Sequence, residues 1–521
     1  MKTNCTLKTL LARGCESGQD NQAVISEGRS YTFGAFSRRI YGISNALLDL
    51  GLRKGDRVAL LTRNSFESAE SYFSVPNAGL VLVMLNFRLA PAEIRTILID
   101  SKSSVLMIDE GYLDCVEQIS GGLTFLQHTV LIGHKKKTPV GWLHYETLIE
   151  KASDQEPQVD IFEDDLAVLM YTSGTTGAPK GCMVAHRNLY HVGKSLSFEL
   201  QMGPNELGII PVPLFHASGQ CILMSSIYNG TAVVIMSCWD IVKFMELVEK
   251  YRTTTAMLAT PMLSYLVSHP QSDQYDLSSL TKVFFAGASV SSVLLEKAIQ
   301  RFGNIFIHGY GATETVGSMS ILRLDEVASA LVGGRKETLG SCGRNYTDME
   351  IEVVDGNDQP VAPHSVGEIR ARGKGVTMGY WNKKGDRCDG FKGEWYYTGD
   401  LARVDDAGFV YIIGRRKDMI ISGAENVFPA EIENVLLKHP AIEQVAVVGV
   451  EDERWGEAVT AFIVLKPDEH VDEGTIKALC RQEIAAYKVP KKIYFVDKLP
   501  ISATGKLVKS KLISQVTLSG L

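Results

Sequence analysis

Residues 171–181 read YTSGTTGAPKG. Thr172, Ser173, Thr175 and Thr176 supply hydroxyls, Gly174 and Gly177 let backbone amides approach an anion, and Lys180 adds a positive charge. That is the chemistry of a phosphate cradle. The apolar run LAVLM at 166–170 places the segment after a buried strand. An ordinary P-loop needs a glycine, four residues and then Gly-Lys-Ser/Thr, and this spacing does not provide it. A plain surface loop seldom joins so many donors to a buried-looking strand.

Further segments carry residues of chemical use. PVPLFHASG at 211–219 sets His216 beside an apolar wall, where an imidazole can steer a carboxylate. FAGAS at 285–289 ends a strand in Gly287, Ala288 and Ser289, small enough to leave room for a flat ring. In HGYGATET at 308–315 a helix cap accounts for Thr313 and Thr315 but not for Gly309-Tyr310-Gly311. Glu314, in the same segment, is the kind of carboxylate that Mg2+ takes alongside phosphate oxygens. EWYYTGDL at 394–401 offers Asp400, a carboxylate able to accept both hydroxyls of a sugar. GRRKDMIISGAEN at 414–426 concentrates charge between two units. In LPISATGK at 499–506, Gly505 lets the chain turn and present the Lys506 ammonium.

The elements that position these residues follow from composition and periodicity. At 521 residues the chain exceeds what one core sustains, so at least two domains are expected. Strand-like runs at 57–62, 78–84 and 104–109 alternate with helical segments from 31 to 130, which argues for a parallel α/β sheet. The polar stretch 130–158, with three lysines at 135–137, reads as a surface excursion. A second α/β stretch covers 166–320, with strands at 231–236, 282–286 and 304–308. Short strands with Gly and Pro turns at 340–413 suggest a small β-barrel. After Gly414 a fresh unit begins, with helices at 429–439 and 473–486 and strands at 444–449 and 459–465.

Several classes are excluded. A net charge of −7 gives no global basis for binding nucleic acid. Residues 208–239 lack Lys, Arg, Asp and Glu, yet Pro211, Pro213, His216, Gln220 and Asn229 interrupt them. Buried strands and a substrate wall explain that run better than an integral membrane segment does. The first eight residues lack the apolar core of a signal peptide. Nine cysteines without any Cys-x-x-Cys pair fit reduced thiols of a cytoplasmic protein. His186 and His191, five apart, do not share a helix face and read as structural.

Taken together, these segments resemble, in order along nearly the whole chain, the adenylate-forming superfamily of acyl-CoA synthetases, luciferases and adenylation domains. The resemblance is to the acyl/aryl-CoA synthetase branch. It implies a mixed α/β fold. Residues 1–414 would form a large N-terminal AMP-binding domain of two α/β subdomains and a small β-barrel. Residues 415–521 would form a small mobile C-terminal domain. It implies ATP, Mg2+ and coenzyme A as cosubstrates and cofactor, with a small carboxylic acid as partner.

By the same resemblance, residues 172–177, Lys180, Gly287, Ala288, Ser289, Gly309, Tyr310, Gly311, Thr313, Glu314, Asp400, Arg415 and Lys506 bind ATP. Glu314 holds the metal. His216, Ser218, Gly219 and Gly311 face the acid, and Lys506, His216, Thr313 and Lys180 are catalytic. Lys417 is a hinge. Ser422, Gly423, Ala424, Asn426, Trp455, Lys488 and Lys491 contact CoA, Trp455 lying in DERWGE at 452–457. Many relatives carry Gly-Gly-Glu-Asn where this chain has Gly423-Ala424-Glu425-Asn426, and the added methyl is expected to narrow the thiol tunnel. Seven lysines against one acid between residues 487 and 512 suit a phosphorylated ligand on an otherwise acidic protein.

The expected reaction is acyl-AMP formation followed by transfer to CoA, with no protein nucleophile. A luciferase-like oxygenase and an enzyme that loads a carrier protein share its first half. A catalytically dead nucleotide sensor is expected to lack Lys506 or Glu314, and both are present. Small residues at Ala217, Ser218 and Gly219 suggest a medium-length, branched or cyclic acid. The sequence sets no oligomeric state, and a homodimer stays open.

Overall fold

The computed structural model describes residues 4–119, 121–172, 179–288, 290, 292–382, 390–422, 425–452, 454–501 and 507–519. The chain forms two compact units, Met1–Ile351 with Arg370–Tyr397, and Glu352–Ile369 with Thr398–Leu521.

The first unit is built on two large sheets. One runs in the order Leu143–His144, His128–Ile132, Val105–Asp109, Arg57–Leu61, Val81–Met84, Leu166–Thr172, Lys180–Ala185. All neighbours are parallel except the last pair. Its central strands are apolar apart from Arg57 and Asp109 at their ends, as parallel strands covered on both faces tend to be. The stretch 130–158 departs from expectation. His128–Ile132 and Leu143–His144 extend the sheet, and the helix Tyr145–Lys151 follows. Buried Val130, Leu131 and Tyr145 drive that assembly, and the lysine run forms only the turn between the strands.

The second sheet has nine strands. Six are parallel, in the order Phe306–Tyr310, Lys282–Ala286, Thr255–Ala259, Leu207–Ile210, Ala232–Ile235 and Gln22–Ser26, with antiparallel edges on both sides. The charge-free run becomes the strand Leu207–Ile210, the helix Ala217–Asn229 and the strand Ala232–Ile235, with Ile222, Leu223 and Met224 fully buried. No described helix is long and apolar enough to cross a membrane. His186 accepts the Leu7 amide at 3.2 Å, and burial pushes its pKa down to about 4. Burial does the same to His191.

Residues 340–415 contribute the strands Met349–Val354, Gly367–Gly373, Phe391–Lys392, Trp395–Val404 and Val410–Arg415 to one five-stranded sheet. In the second unit another five-stranded sheet comprises Glu425–Val427, Ile420–Ser422, Gly456–Leu465, Ile442–Asp452 and Lys492–Phe495. The helices Pro429–Leu436 and Glu473–Glu483 cover one face through Ile432, Leu436, Ile476 and Cys480. The helix Lys509–Ser519 covers the other, setting Leu512 and Val516 over Ala446, Val448 and Phe462.

Candidate active site

The segment expected to cradle phosphate joins the two strands of a hairpin. Strands Leu166–Thr172 and Lys180–Ala185 are antiparallel, with Thr172 opposite Lys180. The pairing fixes both ends of the loop at one rung. Ser173, Gly174, Thr175, Thr176 and Gly177 lie outside the described residues. Tyr171 braces the hairpin by donating its hydroxyl to Asp100 at 2.6 Å. Gly181 serves that brace, because a Cβ there would meet the Tyr171 ring at 2.9 Å.

The strand Phe306–Tyr310 delivers the next group. After it the chain closes a single 3-10 turn, Thr313–Thr315. Gly311 is obligatory, since a Cβ would lie 2.3 Å from the Gly317 backbone. Val316 then takes φ = 51°, a left-handed conformation that β-branched residues rarely adopt. Such backbone strain persists only where surrounding structure holds it. Gly311→Ala should force the turn open and cost about 1–3 kcal/mol. Its Tm and its rate of acid-dependent pyrophosphate release should both fall, and an unchanged Tm would show that the turn yields freely.

Glu314, on this turn, is buried. Its carboxylate accepts the Tyr380 hydroxyl, and its carbonyl accepts the Thr377 amide at 2.9 Å. Burial, reinforced by that carboxylate, pushes the Tyr380 pKa far up, so the phenol stays a donor. Lys180 Nζ lies 5.2 Å from the centre of the same ring. Tyr380 thus joins the lysine of the phosphate hairpin to the acid of the 3-10 turn. Neither Tyr380 nor its segment carries a motif of its own, and sequence reading missed it. Among the described residues no group of three or more His, Cys, Asp or Glu side chains could hold a metal ion. A lone buried carboxylate fits a cation that takes its remaining ligands from phosphate and water, as Mg2+ does.

The segment expected to flank the adenine is tightly packed. Phe285 and His308 stack at 4.8 Å, with 9° between their planes. Gly309 makes room for Phe284, whose ring would lie 2.5 Å from a Cβ. Gly287 follows at φ = 97° and Ala288 accepts the Thr260 hydroxyl at 3.0 Å, while Ser289 lies outside the described residues.

His216 is the N-cap of the helix Ala217–Asn229, its Nδ1 accepting the Ser218 amide at 3.3 Å and meeting the Ser218 hydroxyl at 2.9 Å. Gly219 is needed for packing, as a Cβ would collide with the Pro213 carbonyl at 2.3 Å. The loop before His216 is clamped from the other sheet. Buried Asn64 donates to the Val212 carbonyl and accepts the Leu214 amide, both at 2.8 Å. Tyr72 donates to the Leu214 carbonyl. Two polar residues with no motif around them were invisible to sequence reading.

In the second unit, Asp400 and Arg415 face each other across the pair Trp395–Val404 and Val410–Arg415, joined at 3.0 Å. The two residues expected at the ribose are therefore brought together. Lys417 sits in the 3-10 turn Arg416–Asp418 directly afterwards. Of the CoA candidates, Ser422 pairs with Gly456, next to Trp455, and Lys491 Nζ stands 4.9 Å from the Trp455 ring. The buried Ser422 hydroxyl has no hydrogen-bond partner among the described residues. Lys488 is tied to Glu431, both oxygens at 2.7 Å, and Asn426 pairs with Ile421. Gly423, Ala424 and Lys506 lie outside the described residues.

Comparison with known proteins places this arrangement. Residues 11–381 match the family model of AMP-binding enzymes, and residues 431–506 match that of the AMP-binding enzyme C-terminal domain. A feruloyl-CoA synthase of Amycolatopsis is 34% identical over 491 residues, 94% of this chain and 95% of the relative. The crystal structure of an anthranilate CoA ligase in complex with anthranoyl-AMP superposes with a TM-score of 0.91 at 28% identity, covering 100% of this chain and 99% of that one. The Bacillus subtilis O-succinylbenzoate coenzyme A synthetase, solved with ATP and magnesium ion, gives 0.83 at 29% identity, covering 96% and 98%. A loop between Thr172 and Lys180, a buried Glu314 and an Asp400–Arg415 pair on such a fold leave one conclusion: the chain belongs to the AMP-binding enzyme family, in its acyl- and aryl-CoA synthetase branch.

Proposed function

We propose that this protein is an ATP-dependent carboxylate–CoA ligase in which residues 1–414 bind ATP and the acid, and residues 415–521 form a mobile domain carrying Lys506 and the CoA contacts. The observation that carries the reading is the convergence of Lys180 and Glu314 on one tyrosine.

In the first half-reaction a carboxylate oxygen of the acid attacks the α-phosphorus of ATP, the bond to the β-phosphate oxygen breaks, and pyrophosphate leaves. A carboxylate is a weak nucleophile towards a polyanion, so the protein must hold both partners in line and offset charge on phosphorus. Lys180 and the hydroxyls of 172–176 hold the phosphates, Thr313 donates to the α-phosphate, and Lys506 faces the reacting centre. Glu314 would hold Mg2+, which when bound offsets phosphate charge. Tyr310 with Gly287, Ala288 and Ser289 flanks the adenine, and Asp400 with Arg415 holds the ribose. His216, Ser218, Gly219 and Gly311 border the acid. In the second half-reaction the CoA sulfur attacks the acyl carbon, AMP leaves with the carboxyl oxygen, and the thiol proton passes to solvent. Ser422, Gly423, Ala424, Asn426, Trp455, Lys488 and Lys491 guide the CoA. The acid is of medium length, branched or cyclic, and the enzyme works in the cytoplasm.

The test is a pyrophosphate-release screen across acids graded in length and ring content, with thioester formation followed in parallel. Release that depends on an acid, then CoA thioester, supports the reading. Acyl transfer only to a carrier protein, or oxygen consumption with light, would replace it with another branch. Glu314→Gln should raise the Mg2+ concentration needed for turnover while the fold stays intact, because an amide is a poorer ligand for Mg2+ than a carboxylate. Wild-type Mg2+ dependence and turnover would remove Glu314 from the metal.

A further inference from the structure

The segment before Tyr380 behaves as an extra strand beside Lys180–Ala185. Met183 donates to the Gly379 carbonyl at 2.8 Å, Met378 to the Met183 carbonyl at 2.9 Å, and Trp381 to the Gly181 carbonyl at 2.7 Å. Cys182 and Tyr380 form an antiparallel bridge. Tyr380 is 6% exposed, and Phe391 packs edge-on against its ring at 5.7 Å. Its backbone is therefore locked to the phosphate hairpin and its ring has little freedom. From that fixed base the hydroxyl reaches Glu314, on the 3-10 turn that follows the strand Phe306–Tyr310 of the nine-stranded sheet.

We propose that Tyr380 is a positioning residue that holds the Glu314 carboxylate and the Lys180 ammonium at one set spacing, so that the metal ligand and the phosphate-binding cation meet Mg2+-ATP as a preformed pair. This rests on the reading of Glu314 and Lys180 given above. A glutamate side chain turns about three bonds, and an unrestrained carboxylate loses that freedom when it binds a cation. The phenol occupies one oxygen of Glu314 and stops the rotation beforehand, leaving the second oxygen to the ion. Partners that orient a metal ligand in this way typically contribute about tenfold to hundredfold in metal affinity. The ring face serves the other half of the pair. An ammonium over an aromatic ring is attracted by its quadrupole.

Two variants separate the halves. Tyr380→Phe keeps volume, ring and the Phe391 contact and removes only the donor. Tyr380→Leu removes the ring as well. Mn2+ binding in the presence of α,β-methylene-ATP, read by electron paramagnetic resonance, reports the ion directly without turnover. Metal-free binding of the same nucleotide reports Lys180.

Tyr380→Phe should weaken Mn2+ by about tenfold or more while metal-free nucleotide affinity and Tm stay near wild type. Tyr380→Leu should lose nucleotide affinity in addition. Wild-type Mn2+ affinity in Tyr380→Phe would overturn the proposal. So would a parallel loss of Tm, Mn2+ and metal-free nucleotide binding in both variants, which would mark a purely structural residue. Glu314→Gln in the same titration separates the levels. If it weakens Mn2+ while Tyr380→Phe does not, only the role of Tyr380 falls. If it binds Mn2+ as wild type does, the metal reading of Glu314 falls and this proposal with it.

Discussion

Lys506→Ala should slow acyl-adenylate formation by roughly a hundredfold or more, while leaving thioester formation from supplied acyl-AMP close to wild type. The basis is its place after Thr504-Gly505, where a glycine lets the chain turn and present an ammonium. Removing one preorganised donor from a phosphoryl or acyl centre typically costs about 3 kcal/mol of transition-state stabilisation. The charge on the pentavalent phosphorus exists only in the first half-reaction. In the second, the reacting atoms are a sulfur and an acyl carbon, and the lysine has no developing phosphorane to meet. Single-turnover assays of the two steps, one started with acid and ATP and the other with acyl-AMP and CoA, decide the matter. Equal loss in both would refute the division of labour.

The second large effect is expected at Lys417. In the proposed reading Lys506 serves phosphoryl chemistry and Trp455 with Gly423 serves the CoA side, yet all three belong to the same stretch after Gly414. One face cannot easily offer both sets to the same adenylate in turn. The proposed solution is a swing about Lys417, and such a hinge must absorb a large change in backbone dihedral angles. Lys417 occupies the middle of the one-turn helix Arg416–Asp418, between the strands Val410–Arg415 and Ile420–Ser422. Proline there holds φ near roughly −65° and removes the amide donor. Lys417→Pro should therefore run one half-reaction near the wild-type rate and the other slower by about tenfold or more, an added barrier of at least about 1.4 kcal/mol. A variant that performs both steps at wild-type rates would remove the hinge from this position.

Much of the fold was legible because periodicity and composition reflect burial directly. The run KVFFA at 282–286 is continuous, β-branched and aromatic at its centre, and it forms the strand Lys282–Ala286 at those limits. The stretch 130–158 misled because lysines at 135–137 dominate its composition, whereas Val130, Leu131 and Ile132 before them and Leu143 and Tyr145 after them were enough to add two strands and a helix to the sheet. Of the expected site residues, Asp400 and Arg415, fifteen positions apart, are brought together across a hairpin register, and Thr313 and Glu314 share one 3-10 turn. What escaped were partners supplied by distant chain. Tyr380, Asn64 and Tyr72 carry no spacing signal in the sequence, and only the tertiary structure shows each hydroxyl or amide meeting a polar group of another element. Glycines were visible but their reasons were not. Gly181, Gly309 and Gly219 accommodate Tyr171, Phe284 and the Pro213 carbonyl, demands that a motif alone does not distinguish from contact with a nucleotide.

The clamp on residues 212–214 has a consequence for how the molecule can be taken apart. Asn64 follows a strand of the seven-stranded sheet, while the backbone groups it satisfies follow a strand of the nine-stranded sheet. Pulling the sheets apart would break these cross-sheet hydrogen bonds and expose to water the apolar core that Val58, Leu60, Ile210, Val212 and Leu214 share. The two sheets are thus poor candidates for independent expression, for split reporters cut between them, or for transplanting the loop 211–219 into a foreign scaffold. A graft of residues 211–219 carries its geometry only if Asn64 and Tyr72 travel with it.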